Sequence, residues 1–252
     1  MEKFLLIAII FSSVMPLAFA EVYIQNDQKF VGDDGSVHIV GEIVNNLKVP
    51  LNQIYIQFDL FDENHNLIQT KETNSFVNTI MPGMKGPFDL ILTNNEAKNT
   101  NSYTMKLNYQ TSLPKGQVID ITESSLTRDN HNNLMITGTL TNNGQTTANM
   151  ISVIATLYDG QGNVAGVIRV NPEPDYLGSE DSAFFLLSLP DKMQTEKIDD
   201  YTLIAESEEF ATVPEFPLGT LILLILTLSS YIGITRYSGR IMTNLFSVTN
   251  LR

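Results

Sequence analysis

The residues that first invite a chemical reading are three histidines, His38, His65 and His131, and two acidic, amide-rich turns, Asp62-Glu63-Asn64-His65-Asn66 and Asp159-Gly160-Gln161-Gly162-Asn163. Histidine can ligate zinc or copper or move a proton near neutrality, but metal sites need clustered ligands such as the two histidines of H-E-x-x-H. The three here stand far apart in the chain, in a pattern that completes no coordination shell. The turns are a different matter. Ca²⁺ takes six to eight oxygens, and alternating carboxylates and amides in a tight loop supply several. Asp62, Asn64, Asp159 and Asn163 are therefore the candidate Ca²⁺ ligands. Neither turn ends in the glutamate of an EF-hand loop, and Asp, Asn and Gly also favour hairpin turns for backbone reasons alone.

No other catalytic pattern is present. There is no cysteine, which excludes disulfides, thiolate ligands and thiol nucleophiles, and there is no P-loop, dinucleotide-binding glycine pattern or serine nucleophile elbow. No catalytic residue, cofactor or bound metal is expected. The net charge is −13, and of the 28 acids only Glu2 lies outside residues 21–217, whereas four of the 15 basic residues do. A surface of that sign repels phosphate backbones, so no nucleic-acid partner is expected. The acidic groups Glu180-Asp181, Asp199-Asp200 and Glu206 to Glu209 read as a solvated face.

The elements that carry these turns follow from periodicity. Leu134, Ile136, Gly138 and Leu140 alternate with Met135, Thr137, Thr139 and Thr141, which is the period of a strand with one apolar face. Val37, Ile39, Gly41 and Ile43 repeat that face earlier in the chain, which puts His38 and Glu42 on the outer side. The next strands bury Ile54, Ile56, Phe58 and Leu60 in one place and Ile151, Val153, Ala155 and Leu157 in the other, leaving Tyr55, Phe61 and Tyr158 pointing away. Asn45-Asn46 and Asn142-Asn143-Gly144 end the first of these strands, where Asn and Gly tolerate positive φ.

These pairs share one offset of 97 residues, from Val22 and Ile24 against Ile119 and Ile121 to Leu92 against Leu189. The register then slips by one, so that Tyr103 corresponds to Tyr201. A repeat this long is a duplicated domain. With no amphipathic helix in either copy, the expected fold is all-β: two tandem antiparallel β-sandwiches at residues 21–113 and 117–209. The linker around Pro114 and Gly116 is short and polar, so each module is expected to unfold by itself.

Phe58-Asp59-Leu60-Phe61-Asp62 and Ala155-Thr156-Leu157-Tyr158-Asp159, each after a G-x-[IVL]-x-N-N run, resemble the signature of FxLYD-type domains. The first copy also has the later Pro82-Gly83 with Phe88 and Leu90. The first copy departs at Phe61 and the second at Ala155 and at Gly178-Ser179. The resemblance covers residues 22–110 and 119–206. It implies immunoglobulin-like sandwiches of bacterial and archaeal surface proteins, with a scaffold or binding role.

The ends of the chain set the expected location. Lys3, the apolar run from Phe4 to Val14 and Ala18-Phe19-Ala20 make residues 1–20 a signal peptide, with the mature chain starting at Glu21. Residues 210–217 form a proline-containing stalk, and residues 218–235 lie in an uncharged stretch that spans about 30 Å as a helix, one bilayer crossing. Residues 236–252, with Arg236 and Arg240, form a basic cytoplasmic tail, so both modules face outside. Val213-Pro214-Glu215-Phe216-Pro217 before such a span is similar to archaeal PEF-type sorting signals, which implies processing by an archaeosortase and attachment at the cell surface. Left in place, the segment is a single-pass anchor. The expected function is a membrane-anchored extracytoplasmic protein with a structural, adhesive or interaction role and a protein or envelope partner outside the cell. Its alternatives are an accessory subunit of a membrane complex, with Gly219, Ser229, Ser230 and Gly233 for close helix contact, and a Ca²⁺-dependent binding module.

Overall fold

A computed structural model describes residues 21–130, 133–189 and 198–211, together with Ser229. The expected signal peptide, the expected stalk beyond residue 211, the expected membrane span apart from Ser229, the expected tail and His131 lie outside the described residues. The chain divides into a unit Met1–Val213 and a unit Pro214–Arg252. Among the described residues no helix is long and apolar enough to cross a membrane.

The fold is all-β, built of four three-stranded antiparallel sheets. The first repeat runs β1 (Val22–Val31), β2 (Val37–Asn45), β3 (Leu51–Phe61), β4 (Leu67–Asn74), β5 (Lys85–Leu92), a short helix α1 (Asn94–Asn99) and β6 (Ser102–Thr111). The second runs β7 (Ile119–Arg128), β8 (Leu134–Asn142), β9 (Ser152–Asp159), β10 (Val164–Val170), β11 (Ser182–Leu189) and β12 (Ile198–Glu206). Sheet orders are β1-β2-β5 and β4-β3-β6 in the first repeat, β11-β8-β7 and β10-β9-β12 in the second, so the topology is duplicated strand for strand.

The duplication extends to the backbone. β1 and β7 carry a bulge at the same place, with Asn26 at φ 55° and Glu123 at φ 56°. Isolated bridges join Leu51 to Ile80 and Ala148 to Leu177. Gly41 faces Phe88 and Gly138 faces Phe185 across the ladders, and a Cβ on either glycine would lie 2.7 Å from the ring. The glycine admits the ring that fills the core.

Each repeat has its own core. In the first, Val37, Ile39 and Ile43 of β2 and Phe88 and Leu90 of β5 pack with Ile56, Phe58 and Leu60 of β3, joining both sheets around one apolar centre. Phe58 lies 6.0 Å from both Phe88 and Tyr103 between ring centroids. The second core repeats this with Ile136, Leu140, Val153, Ala155, Leu157, Phe185 and Leu187. Every inward residue expected on β2, β3, β8 and β9 is buried.

Three readings of the sequence need correction. Six-residue α1 was not visible, because one and a half turns carry too little periodicity to register; Thr93 and Glu96 cap it through the Thr93 N–H and hydroxyl donating to Glu96 Oε2 at 2.8 and 2.9 Å. The asparagines ending β2 and β8 do not occupy positive φ. Asn45 and Asn142 are instead fully buried brackets. Asn45 Nδ2 donates to the carbonyls of Val49 and Ile80 while Oδ1 accepts the Leu47 N–H. Asn142 does the same to Thr146, Leu177 and Gly144. Finally, Glu206 is not on a solvated face: it is 2% exposed, whereas Glu208 beside it is exposed.

Candidate functional site

The Asp-rich turns come out alike. Asp62 Oδ1 accepts the N–H groups of Asn64 and Asn66 at 2.8 Å, and Oδ2 accepts the Asn66 side-chain amide at 3.1 Å. Asp159 makes the same set to Gln161 and Asn163 at 2.9, 2.9 and 3.2 Å. His65 at φ 62° and Gly162 at φ 82° take the left-handed position that tightens the turn. The backbone and side chain of Asn66 hold the Asp62 carboxyl below its usual range. Burial alone would raise Asp159, but the donors from Asn163, Gln28 and Gln161 together outweigh it and lower that group too. Asn64 contributes its backbone rather than a carbonyl oxygen, and Asn163 faces its own aspartate. The candidate Ca²⁺ ligands are thus engaged in closing two hairpins. Among the described residues no group of three or more His, Cys, Asp or Glu is placed to hold a metal.

His38 stacks on Phe30 at 5.0 Å with Nδ1 2.8 Å from Asp89 Oδ2, and His65 belongs to its turn. Tyr55 and Phe61 are half-buried on the outer side of β3.

The most heavily built polar arrangement lies where the repeats meet. The outer face of β1-β2-β5 is covered by the outer face of β10-β9-β12. Val40, Tyr158 and Val164 form one buried cluster with Phe30 and Val167 packed against it, and Val77, Ile154 and Ile204 form a second with Phe76 and Val167. A carboxylate closes each. Glu42, 1% exposed, accepts the Tyr158 hydroxyl and takes Lys85 Nζ at 2.8 Å, with the Gln25 amide at 3.3 Å. Lys85 also lies 5.7 Å over the Tyr158 ring. Glu206 accepts the Asn78 N–H at 2.9 Å and its side-chain amide at 2.8 Å, with Arg169 at 3.8 Å. Arg169 in turn donates to Phe76 O, and Gln28 to Asp159 Oδ2.

Burial and the neighbouring Glu42 carboxylate raise the Tyr158 hydroxyl well above the usual tyrosine range, so it remains a donor at any working pH. Burial also pushes Glu206 up to about 7, against the lowering effect of the Asn78 N–H and Arg169. Buried charges of this kind persist only when hydrogen-bonded and paired. The arrangement is a joint, and it holds one repeat to the other.

The equivalent outer face of the second repeat, β11-β8-β7, carries Thr137, Thr139 and Thr141 beside exposed Phe184 and Leu186. A cleft of about 510 Å³ lies between Lys85, Tyr158, Asp159 and Asp199 at the rim of the joint.

Sequence reasoning placed Glu42 on the outer side of β2 and Tyr158 on that of β9, but did not bring them together. A signal was available in the contrast between repeats. β9 reads Val153-Ile154-Ala155-Thr156-Leu157-Tyr158, apolar on both sides, whereas β3 alternates apolar residues with Gln57 and Asp59. A strand apolar on both faces is covered on both.

Comparison with known proteins adds little about function. The family described as "Protein of unknown function (DUF3426)" matches residues 117–197, the second repeat up to β12 and under half of the chain. No curated protein matches the sequence. Among solved structures, the exo-chitosanase CsxA of Amycolatopsis orientalis is similar at 11% identity and a TM-score of 0.28, over 78% of this chain and 26% of that one. Red sea bream transglutaminase is similar at 9% identity and a TM-score of 0.24, over 83% of this chain and 33% of that one. Likenesses of this degree carry no argument about architecture or activity.

Proposed function

We propose that this chain is a membrane-anchored surface protein whose two immunoglobulin-like sandwiches of FxLYD type stand outside the cell in a structural, adhesive or interaction role, without catalysis. The observation that carries this reading is the joint between the repeats. Its polar groups are paired across a sheet-to-sheet contact, with Tyr158 on Glu42 and Asn78 on Glu206, which is an arrangement for holding two units in fixed register. The turns that could have bound Ca²⁺ hold their own backbones. The duplicated sheet orders fit a pair of like modules in tandem. The uncharged stretch at residues 216–235, followed by Arg236, supports an anchor with the acidic repeats on the outer side.

The test is a broad screen of the purified chain in mild detergent for hydrolytic and redox turnover, alongside recovery of the chain from its own membranes. The reading expects no turnover. A turnover abolished by changing any single polar side chain would end it, and a stoichiometric integral membrane partner would replace it with an accessory-subunit role.

A further inference from the structure

A chain of four polar groups runs from the turn before β2 across its outer face to β5. Asp34 Oδ1 accepts the Ser36 hydroxyl at 2.5 Å and the Ser36 N–H at 2.8 Å. Ser36 Oγ lies 3.1 Å from His38 Nε2, and His38 Nδ1 lies 2.8 Å from Asp89 Oδ2. Ser36 has one hydroxyl proton, and so short a contact with a carboxylate points it at Asp34. Nε2 must then donate to Ser36 Oγ. Nδ1 must donate to Asp89, because a carboxylate only accepts. Both ring nitrogens of His38 therefore carry protons. The Ser36 hydroxyl and N–H, with the charge of His38, hold the Asp34 carboxyl below its usual range, which keeps it an acceptor.

The surroundings suit a cation. Two carboxylates face the ring, Asp89 from β5 and, through Ser36, Asp34 from the turn between β1 and β2. Asp89 is 11% exposed and its Oδ1 has no hydrogen-bond partner among the described residues, so its charge leans on the imidazolium. From β1 comes Phe30, stacked on the ring at 5.0 Å between centroids, close enough for an aromatic face to attract a cation. Phe30 in turn packs against Val40, Tyr158 and Val164, the buried cluster of the joint. β10 of the second repeat brings Val164 and Val167 to this place, while its Arg169 turns to Phe76 O and Glu206.

We propose that His38 is a built-in proton site: held as an imidazolium, it ties the β1–β2 turn to β5 and seats Phe30 against the joint, and alkaline pH releases it. A free histidine side chain loses its proton at about pH 6.5. The folded chain holds the proton more tightly than the unfolded one, so the stabilisation is full below that value and is lost as pH rises through the folded-state midpoint. This holds whether or not the chain sits on a cell surface.

With three histidines in the chain, the ring spectrum is sparse. The full-length chain in detergent, carrying nitrogen-15 histidine, is followed by long-range proton–nitrogen correlation from pH 5 to pH 9, with H38N to assign the His38 signals and a histidine peptide as reference. At pH 7.5, where the peptide ring is mostly neutral, Nδ1 and Nε2 of His38 should both be protonated. The His38 midpoint should lie at least about one pH unit above that of the peptide, a tenfold tighter hold on the proton. D89N, which keeps an acceptor but removes the charge, should move the midpoint at least halfway back. The methyl signals of Val40 and Val164 should shift with the His38 midpoint in the parent chain, a measurement that needs no variant to fold. Three results would overturn the proposal: either ring nitrogen bare at pH 7.5, a midpoint at or below that of the peptide, or Val40 and Val164 methyls that ignore the His38 titration.

Discussion

Replacing the buried asparagine that ends β8 removes a bracket made of several bonds at once. Asn142 Nδ2 donates to Thr146 O at 2.9 Å, Leu177 O at 3.0 Å and Gly178 O at 3.1 Å, and Oδ1 accepts Gly144 N–H at 2.9 Å. In Asn142→Ala the Leu177 carbonyl keeps the Ala148 N–H, but the buried Gly144 N–H loses its side-chain acceptor. An unsatisfied buried group costs about 1–3 kcal/mol and each lost bond about 1 kcal/mol, so the change should cost about 3–4 kcal/mol. Asn45→Ala should cost about 2–3 kcal/mol, because Leu47 is half-buried and its N–H can reach water. For domains that hold about 5–15 kcal/mol in total, either is a large loss, and at about 4–8 °C per kcal/mol it lowers the repeat's midpoint by about 8 °C or more. The aspartate variants decide between a bracket and simple packing. Asp keeps the shape and the acceptor but turns a charged oxygen toward two carbonyls at position 45 and three at position 142, so stability should fall in the order Asn, Ala, Asp at neutral pH. Urea titration and calorimetry of both series measure this. A cost under about 1 kcal/mol for both alanine variants, or an aspartate variant as stable as the parent, would refute the reasoning.

Tyr158→Phe removes the hydroxyl donated to buried Glu42 and should cost about 1.5–3 kcal/mol in urea titration, the range for a bond to a charged acceptor. The same loss should vanish in a Glu42→Gln background if the charge is its source. Adding Ca²⁺ or a chelator should leave the thermal midpoint within about 1 °C, because RT ln(1 + [L]/Kd) is negligible without a site and the Asp62 and Asp159 oxygens already accept turn N–H groups.

The strands were readable because β3 and β8 each keep one apolar face and His38 and Glu42 interrupt the other face of β2, so the alternation survives in a single sequence. The 97-residue offset was readable for the same reason: no insertion interrupts the chain from β1 to β5 and its copy, and the one-residue slip falls where α1 stands in the first repeat. The joint was hidden because it pairs residues more than a hundred positions apart, Glu42 with Tyr158 and Asn78 with Glu206. It was also hidden by the duplication. Positions equivalent to Ile154, Tyr158 and Ile204 are Gln57, Phe61 and Lys106 in the first repeat, so what the copies share describes their cores and what they do not share describes their contact. The expectation of independent unfolding rested on the linker alone. With Val77, Ile154 and Ile204 buried between repeats, melting one strips cover from the other.

The central claim is that the repeats stand outside a membrane that the chain crosses once. Intact cells bearing an epitope after Arg252 and another in the exposed turn at Asn64 are treated with a non-specific protease and then lysed. The account predicts that the Asn64 epitope is destroyed while the C-terminal epitope survives on a fragment of the last few tens of residues, or is already absent if the tail is processed. An Asn64 epitope that resists protease until the cells are lysed would place the repeats inside and contradict the account.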